Sequence, residues 1–446
     1  MKHRIFTILI FSGVGFLQGY AQTQWSLKQC IDYAIEHNID IKQRKIETEN
    51  KEIELNTAKM SRLPNLSAGL GESFGFGRST GRDGVMEDRT SSQTSFSLET
   101  SVPVFTGFRI PNQVAAKKFD LAASLEDLNK AQEDLSLSIT GYYLQTLFYK
   151  ELLVIARQQV ALTREQLAQT TIMVEAGKSP VSEQYETEAQ LAKDELSLTE
   201  SLNNVNLALL DLSQALNLEA DADFDIVQPD INSLFLSDER VLLNPLDIYA
   251  YSVENRPGIK AAGYLVKSSQ RYLKIAQSAY YPTLNLGAGY STNYFYNYNL
   301  AEGSTNTGFG SQLRNNGSES LRLSMSIPIF NRLSTRNQVK QARLSIQSQQ
   351  LSLEKAKQNL FKEIQQAYFN AVASKDKFAS AEKSVKASRI AFYFEETKYK
   401  HGRSSALELS NARVRLEKSL AEEAQAKYDF VFRTKILDFY QGKPLY

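Results

Sequence analysis

Three stretches of this chain leave almost no choice of backbone conformation. From Asn331 to His401 there is neither glycine nor proline, from Arg403 to Gln441 there is neither again, and between Asn112 and Ala176 the only breaker is Gly141. These two residues most oppose a continuous helix, so each stretch predicts a very long one. Leu121, Leu128, Leu135, Tyr142 and Tyr149 recur every seven residues, as do Ile346, Leu353 and Leu360. A heptad repeat predicts coiled-coil packing. A helix from Gln113 to Ala176 would extend roughly 95 Å at about 1.5 Å per residue, far more than a compact domain needs. The segments 26–62 and 181–217 predict helices about half as long, which stacked end to end would run alongside the long one in a bundle of even height.

The chain contains one module twice. With Pro64 placed on Pro282, Ala58 falls on Ala276, Leu66 on Leu284, Gly69 on Gly287 and Gly71 on Gly289, an offset of 218. A second offset, 225, lays SVPVFTGFRIPNQV on SIPIFNRLSTRNQV, pairs Pro103 with Pro328 and Phe105 with Phe330, and holds without a gap to Gly177 on Gly402. The length change lies between Pro64 and Pro103, or Pro282 and Pro328, in Gly/Ser/Asn-rich loop sequence. This predicts a signal peptide at 1–21, a first repeat at 22–218 and a second at 245–441. The first holds a helix, a β-hairpin at 64–105 and a helical hairpin at 112–217 with its tip at 177–180. The second holds a helix, a β-hairpin at 282–330 and a helical hairpin at 331–441 with its tip at 402–404. Residues 219–244 form an acidic connector, expected to be solvated, and 442–446 a tail.

The strands alternate. Leu321, Leu323, Met325, Ile327 and Ile329 face one way and Arg322, Ser324 and Ser326 the other; Leu66, Ala68, Leu70, Phe74 and Phe76 alternate with Ser67, Gly69, Gly71, Ser73 and Gly75. A soluble sandwich would show the same pattern. Three features favour a membrane barrel instead. Strand lengths come near the roughly 9–11 residues that cross a bilayer at a tilt. Tyr290, Tyr294, Phe295, Tyr296 and Tyr298 cluster like an interfacial aromatic girdle. The third is the start of the chain, where Lys2 and Arg4 precede an apolar run from Ile5 to Leu17 and a Gly19-Tyr20-Ala21 cleavage pattern, the form of a secretory signal. Four strands cannot close a barrel and an open edge in lipid is forbidden, so the chain is expected to oligomerise.

Composition removes other functions. Lys plus Arg number 51 against 50 Asp plus Glu, which offers no basic field for nucleic acid, and the signal takes two of those bases with it. Three histidines and one cysteine leave little material for metal, cofactor or His-based catalysis, and Cys30 reads as a small buried residue behind a Ser26–Gln29 capping box. Gly177-Lys178-Ser179 resembles the end of a phosphate loop, but Ile172 stands at the first glycine position and a helix precedes it. A dinucleotide pattern beginning at Gly75 and Gly77 fails at Thr80, and His37 and His401 have no nucleophile or ligand set nearby in sequence. The connector lacks calcium-loop spacing. The chain is expected to be no enzyme and to use no cofactor.

Taken together, the SLKQCIDYAIEHN opening, strand pairs ending in SVPVF and SIPIF, and helix turns VEAGKSP and YKHGRSSALELSNAR resemble the outer membrane efflux protein family typified by TolC, over essentially the whole mature chain. The resemblance implies a mainly α chain whose four strands join those of two more copies in a 12-stranded transmembrane barrel, continued by a 12-helix coiled-coil tunnel across the periplasm. It implies a homotrimer in the outer membrane. Such a trimer is a passive exit duct of a tripartite efflux or type I secretion system, partnered by a periplasmic adaptor and an inner-membrane pump. A periplasmic or surface coiled-coil protein with a soluble β cap is the alternative from sequence pattern.

Gly177 and Gly402 fit helix-ending glycines at hairpin tips, with Pro180 opening the next helix. By the family pattern the tips are the periplasmic entrance, which makes Gly177, Lys178, Ser179, Gly402, Arg403 and Ser404 candidate adaptor contacts. Tyr399 and Arg403 match a tyrosine and an arginine that the family uses to hold the entrance closed. Glu408 aligns with an acidic constriction residue, while Asn411 stands where a second acid is expected. Glu183 and Glu186 occupy the same register in the first copy, so a mildly cation-selective mouth is expected. Acids favoured at helix starts by the dipole would look the same.

Overall fold

The computed structural model describes residues 24–80, 84–218, 224–229, 244–300 and 304–445. The expected signal peptide and most of the connector lie outside these. In chain order the elements are β1 Gln24–Trp25, α1 Leu27–His37, α2 Ile39–Met60, β2 Asn65–Thr80, β3 Met86–Phe105, α3 Arg109–Glu175, α4 Val181–Leu216 and β4 Asp225–Ile226. There follow α5 Pro245–Asn255, α6 Pro257–Ser278, β5 Thr283–Asn297, α7 Phe309–Asn315, β6 Ser318–Ser326, α8 Ser334–Lys400 and α9 Ala406–Tyr440. Helices α3 and α8 each have 67 residues, and both ends of α8 lie 225 positions beyond those of α3. Helix α3 begins three residues before Asn112 because Pro111 sits in its first turn, where the missing N–H costs nothing. Contacts divide the chain into two compact units, one within 1–41, 132–248 and 364–446, the other within 42–131 and 249–363.

The first unit is helical. Its core joins Cys30, Ile31 and Ala34 of α1 to Ile139, Tyr143, Leu144 and Leu147 of α3, Leu212 and Leu216 of α4, and Tyr428 and Val431 of α9. The capping box is present, with Ser26 and Gln29 bonded reciprocally. Burial pushes the Cys30 thiol up to about 12, so it packs as an inert apolar group. The buried stripe of α3 differs from the one that reads most strongly in sequence. Ile139, Thr146, Leu153 and Val160 are buried at seven-residue spacing, and Ala156, Thr163 and Thr170 form a second such row. Thr146 can be buried because its hydroxyl bonds its own helix, Oγ1 donating to Tyr142 O at 2.9 Å. Tyr142 and Tyr149, from the expected stripe, line an open groove of about 640 Å³ with Phe148, Lys377, Tyr428 and Phe432.

One piece of the connector is not a solvated strap. Asp225 and Ile226 form β4, a parallel pair with Gln24 and Trp25 of β1, and Ile226 is fully buried. Phe224 meets the Trp25 ring edge-on at 5.8 Å, Tyr143 Oη donates to Val227 O at 2.7 Å, and Lys150 forms an ion pair with Asp225. Two apolar side chains among the acids outweigh the charge of the segment, and the nearest acid finds a cation.

The second unit carries a four-stranded antiparallel sheet in the order β2-β3-β5-β6. One face holds Leu66, Ala68, Leu70, Phe74 and Phe76 of β2, Phe96 and Leu98 of β3, Leu286 and Tyr290 of β5, and Leu321, Leu323 and Met325 of β6. The other is mostly Gly, Ser and Asn, with Glu87, Arg89, Gln93, Glu99, Phe295 and Arg322. Strands β2, β3 and β5 have 16, 20 and 15 residues, longer than the expected span, because pairing continues through the polar Glu87–Ser95 after the apolar alternation stops. The second hairpin is shorter than expected. Strand β6 ends at Ser326 instead of Phe330, since β5 begins at its partner Thr283 and offers nothing further to pair. In the same unit, Leu55 and Ala58 of α2 pack on Val114 and Leu121 of α3, and Lys117 Nζ bridges to Glu54 Oε2 at 2.6 Å.

Candidate functional site

Both helical hairpins end in the same backbone device. Gly177 has φ +67°, with its N–H donating to Val174 O at 3.0 Å and Lys178 N–H donating to Met173 O at 2.8 Å. Gly402 also has φ +67°, and the corresponding bonds are Gly402 N–H to Tyr399 O at 2.9 Å and Arg403 N–H to Lys398 O at 2.9 Å. These are paired helix-ending bonds that a left-handed residue makes possible. The following helices start differently: α4 on Pro180 without a side-chain cap, and α9 on a capping box between Ser405 and Glu408.

The candidate tip and gate residues divide into two groups. Gly177, Lys178, Gly402 and Arg403 are exposed and Ser179 is half-buried, all five in the tip turns. Ser404 belongs to the capping network: its Oγ donates to Glu395 and, at 3.0 Å, to Glu408 Oε2. That carboxylate also accepts from Ser405 N–H at 3.0 Å, and the backbone and hydroxyl donors hold its pKa below the usual range. Tyr399 and Glu183, 216 positions apart in sequence, are brought together: the half-buried phenol donates to Glu183 Oε1 at 2.5 Å, and burial with this bond pushes its pKa up to about 12. Glu186 and Asn411 are exposed on the first two turns of α4 and α9.

Above the tips lies a buried polar cluster with no sequence motif. Arg413 of α9, 5% exposed, donates to Thr163 Oγ1 at 2.9 Å and Gln166 Oε1 at 2.5 Å on α3. Thr163 Oγ1 donates in turn to Asp194 of α4, also 5% exposed, and Gln190 Nε2 donates to Asp194 Oδ1 at 2.7 Å. Glu417 is half-buried beside them. Desolvation, then the Asp194 charge, raises its pKa to about 7. Its Oε1 and the Nε of Arg413 have no hydrogen-bond partner among the described residues. Sequence reasoning missed the cluster because its members span 163 to 417, and the only available signal was an arginine on the inward stripe of an otherwise apolar helix face.

Of the aromatic candidates, Tyr290, Tyr294 and Tyr296 share the apolar face of β5, Tyr298 continues the row, and Tyr296 meets Tyr298 at 4.9 Å. Phe295 lies on the opposite face, so strand alternation takes it out of the row. Among the described residues no helix is long and apolar enough to cross a membrane, and no His, Cys, Asp or Glu group could hold a metal ion.

Residues 30–218 and 249–437 each match the outer membrane efflux protein family. The chain belongs to this family. BepC, an outer membrane efflux protein of Brucella suis biovar 1 (strain 1330), is 20% identical over 356 residues, 79% of this chain and 72% of BepC. Toxin and drug export protein A of Aggregatibacter actinomycetemcomitans is 22% identical over 415 residues, 91% of this chain and 83% of that protein. Among solved structures, CusC superposes with a TM-score of 0.79 at 18% identity, covering 94% of this chain and 92% of CusC. VceC of Vibrio cholerae gives 0.73 at 15%, covering 93% and 94%. Helices of this length with a small antiparallel sheet are therefore the fold of an outer membrane efflux channel. The chain is an exit duct of the outer membrane and not an enzyme, and the reading as a coiled-coil protein with a soluble β cap gives way.

Proposed function

We propose that three copies of this chain form one duct, with the sheets closing a 12-stranded barrel and the helical hairpins lining a periplasmic tunnel whose entrance is the pair of glycine tips. The bond from Tyr399 to Glu183 carries the gate reading, because it ties the end of α8 to the start of α4, two elements that share no covalent hairpin. In this reading the bond holds the entrance closed. The exposed turn residues Lys178 and Arg403, with Ser179, Ser404 and the two glycines, meet a periplasmic adaptor that couples the duct to an inner-membrane pump. Two relatives are named for efflux and for toxin and drug export, which favours small-molecule or polypeptide cargo passing through without chemistry.

Tyr399→Phe combined with Glu183→Gln removes the bond with little change in volume. Single-channel conductance in planar bilayers should rise above that of the unmodified protein; an unchanged conductance sinks the gate assignment. Glu183, Glu186 and Glu408 give the mouth three carboxylates per chain and a mild preference for cations. Glu186→Gln with Glu408→Gln keeps the helix cap and should move the reversal potential toward zero.

A further inference from the structure

The polar face of the sheet is nearly bare of long side chains, and its charges are few. Among the described residues they are Glu87, Arg89, Glu99 and Arg322. Glu87 and Arg89 stand at the start of β3 and form an ion pair with each other at 3.6 Å. Glu99 and Arg322 are exposed, and neither makes an ion pair with another described residue. Strand β5 keeps these two apart. Glu99 lies opposite Gly289 on one side of it, and Arg322 opposite Gly287 on the other. Two strand spacings across and two residues along put their Cα atoms about 12 Å from each other.

The ground between them is low. A Cβ on Gly287 would meet only the backbone oxygens of Thr100 and Arg322, at 3.5 and 4.0 Å, so no side chain covers that position. A Cβ on Gly289 would lie 3.8 Å from Glu99 Cγ, so the stem of Glu99 leans over β5 toward the gap. The repeats differ at the charges and agree at the floor. The 225 offset lays Arg322 on Ser97 and Glu99 on Ser324, so each repeat has serine where the other has a charge, whereas Gly287 and Gly289 recur as Gly69 and Gly71. Doubling of the module accounts for the glycines and not for the two opposite charges set on either side of them.

We propose that Glu99 and Arg322 form a two-point subsite on the duct wall for zwitterionic cargo, with an ammonium group of the cargo at Glu99 and its carboxylate or phosphate at Arg322, bridging the glycine floor of β5. This rests on the barrel reading above, in which the polar face is the lumen, and it names the class of cargo that the wall favours. A molecule with a single charge satisfies one contact and leaves the other group to water. A zwitterion of matching length satisfies both, and the guanidinium fork suits a planar or tetrahedral anion. At physiological salt the field of each charge fades within roughly 8 Å, so the subsite acts on molecules moving along the wall and not across the whole lumen. Exposed ion pairs are weak, and two together give a preference of roughly 2- to 30-fold over singly charged analogues, which holds cargo at the wall without trapping it. The pair is neutral as a whole and adds nothing to the charge selectivity of the mouth.

The test uses the full chain in planar bilayers, with Cys30→Ser throughout. Glu99→Cys and Arg322→Cys, made singly, should each change the conductance when a charged, water-soluble thiol reagent is added. A cysteine at either position that stays unreactive in a conducting channel puts that face outside the lumen and overturns both the barrel reading and the subsite. With both positions reactive, ε-aminocaproate added on the barrel side should reduce the single-channel current at concentrations roughly 2- to 30-fold lower than caproate or hexylammonium. Glu99→Gln and Arg322→Gln should each abolish that difference, and the charge swap Glu99→Arg with Arg322→Glu should restore it. Equal potency of the three probes, a preference that survives either single substitution, or a swap that restores nothing overturns the subsite and leaves the duct standing.

Discussion

Glu417 should make the grip of α9 on its neighbours pH-dependent. With α9 packed on its neighbours its pKa stands near 7 against an ordinary 4.5, because burial and Asp194 of α4 oppose its charge more than Arg413 and Lys193 favour it. Thr163 and Gln166 of α3 are neutral, and the remaining charge near Arg413 is Glu396 of α8. Between pH 4.5 and 7 the packed state holds a proton that the opened state has released, so raising the pH across that window favours opening, and the penalty persists above it. At about 1.36 kcal/mol per pK unit the full shift is worth roughly 3 kcal/mol. Water reaching the half-buried side chain screens this to about 1–2 kcal/mol. Amide exchange of residues 406–420, corrected for intrinsic rate, should show protection roughly 5- to 30-fold lower at pH 8 than at pH 5. Glu417→Gln, which cannot ionise, should flatten that dependence. Protection that rises with pH, or an identical pH dependence in Glu417→Gln, would refute the reasoning.

Glycines with like backbone but unlike surroundings should separate cleanly. Gly402→Ala meets open space and bears only the left-handed penalty of about 1–2 kcal/mol, whereas at Gly107, φ +61°, a Cβ would lie 2.5 Å from Ser278 O. Gly107→Ala should therefore lose a further 1–3 kcal/mol or so in denaturant unfolding; equal losses contradict the packing at that turn. Ser405→Ala removes the α9 cap and should cost about 1 kcal/mol of local stability, read as faster exchange of the first-turn amides.

Much of the fold was legible because it rests on local rules. The long helices follow from the absence of breakers, the faces of the strands from alternation, and the tips from Gly177 and Gly402. The misjudged parts depended on competition between surfaces. The heptad stripe holds where Leu121 and Leu135 pack on the cores, but around Tyr142 and Tyr149 the chain instead buries Ile139, Thr146, Leu153 and Val160. Phe224 and Ile226 looked like part of an acidic strap until β1 supplied a strand for them to pair with. At the tips, the sequence marked Tyr399 and Glu183 separately, and folding made them a bonded pair.

Helix length, strand parity and the doubling of the module are set by neighbours along the chain, so the amino-acid order alone determined them. Which stripe is buried, that Arg413, Thr163 and Asp194 meet, and that β6 stops at Ser326 were decided only in three dimensions. Each depends on what another segment offers as a partner: a carboxylate across a helix seam, or a strand that begins at Thr283 and gives Ile327 nothing to pair with.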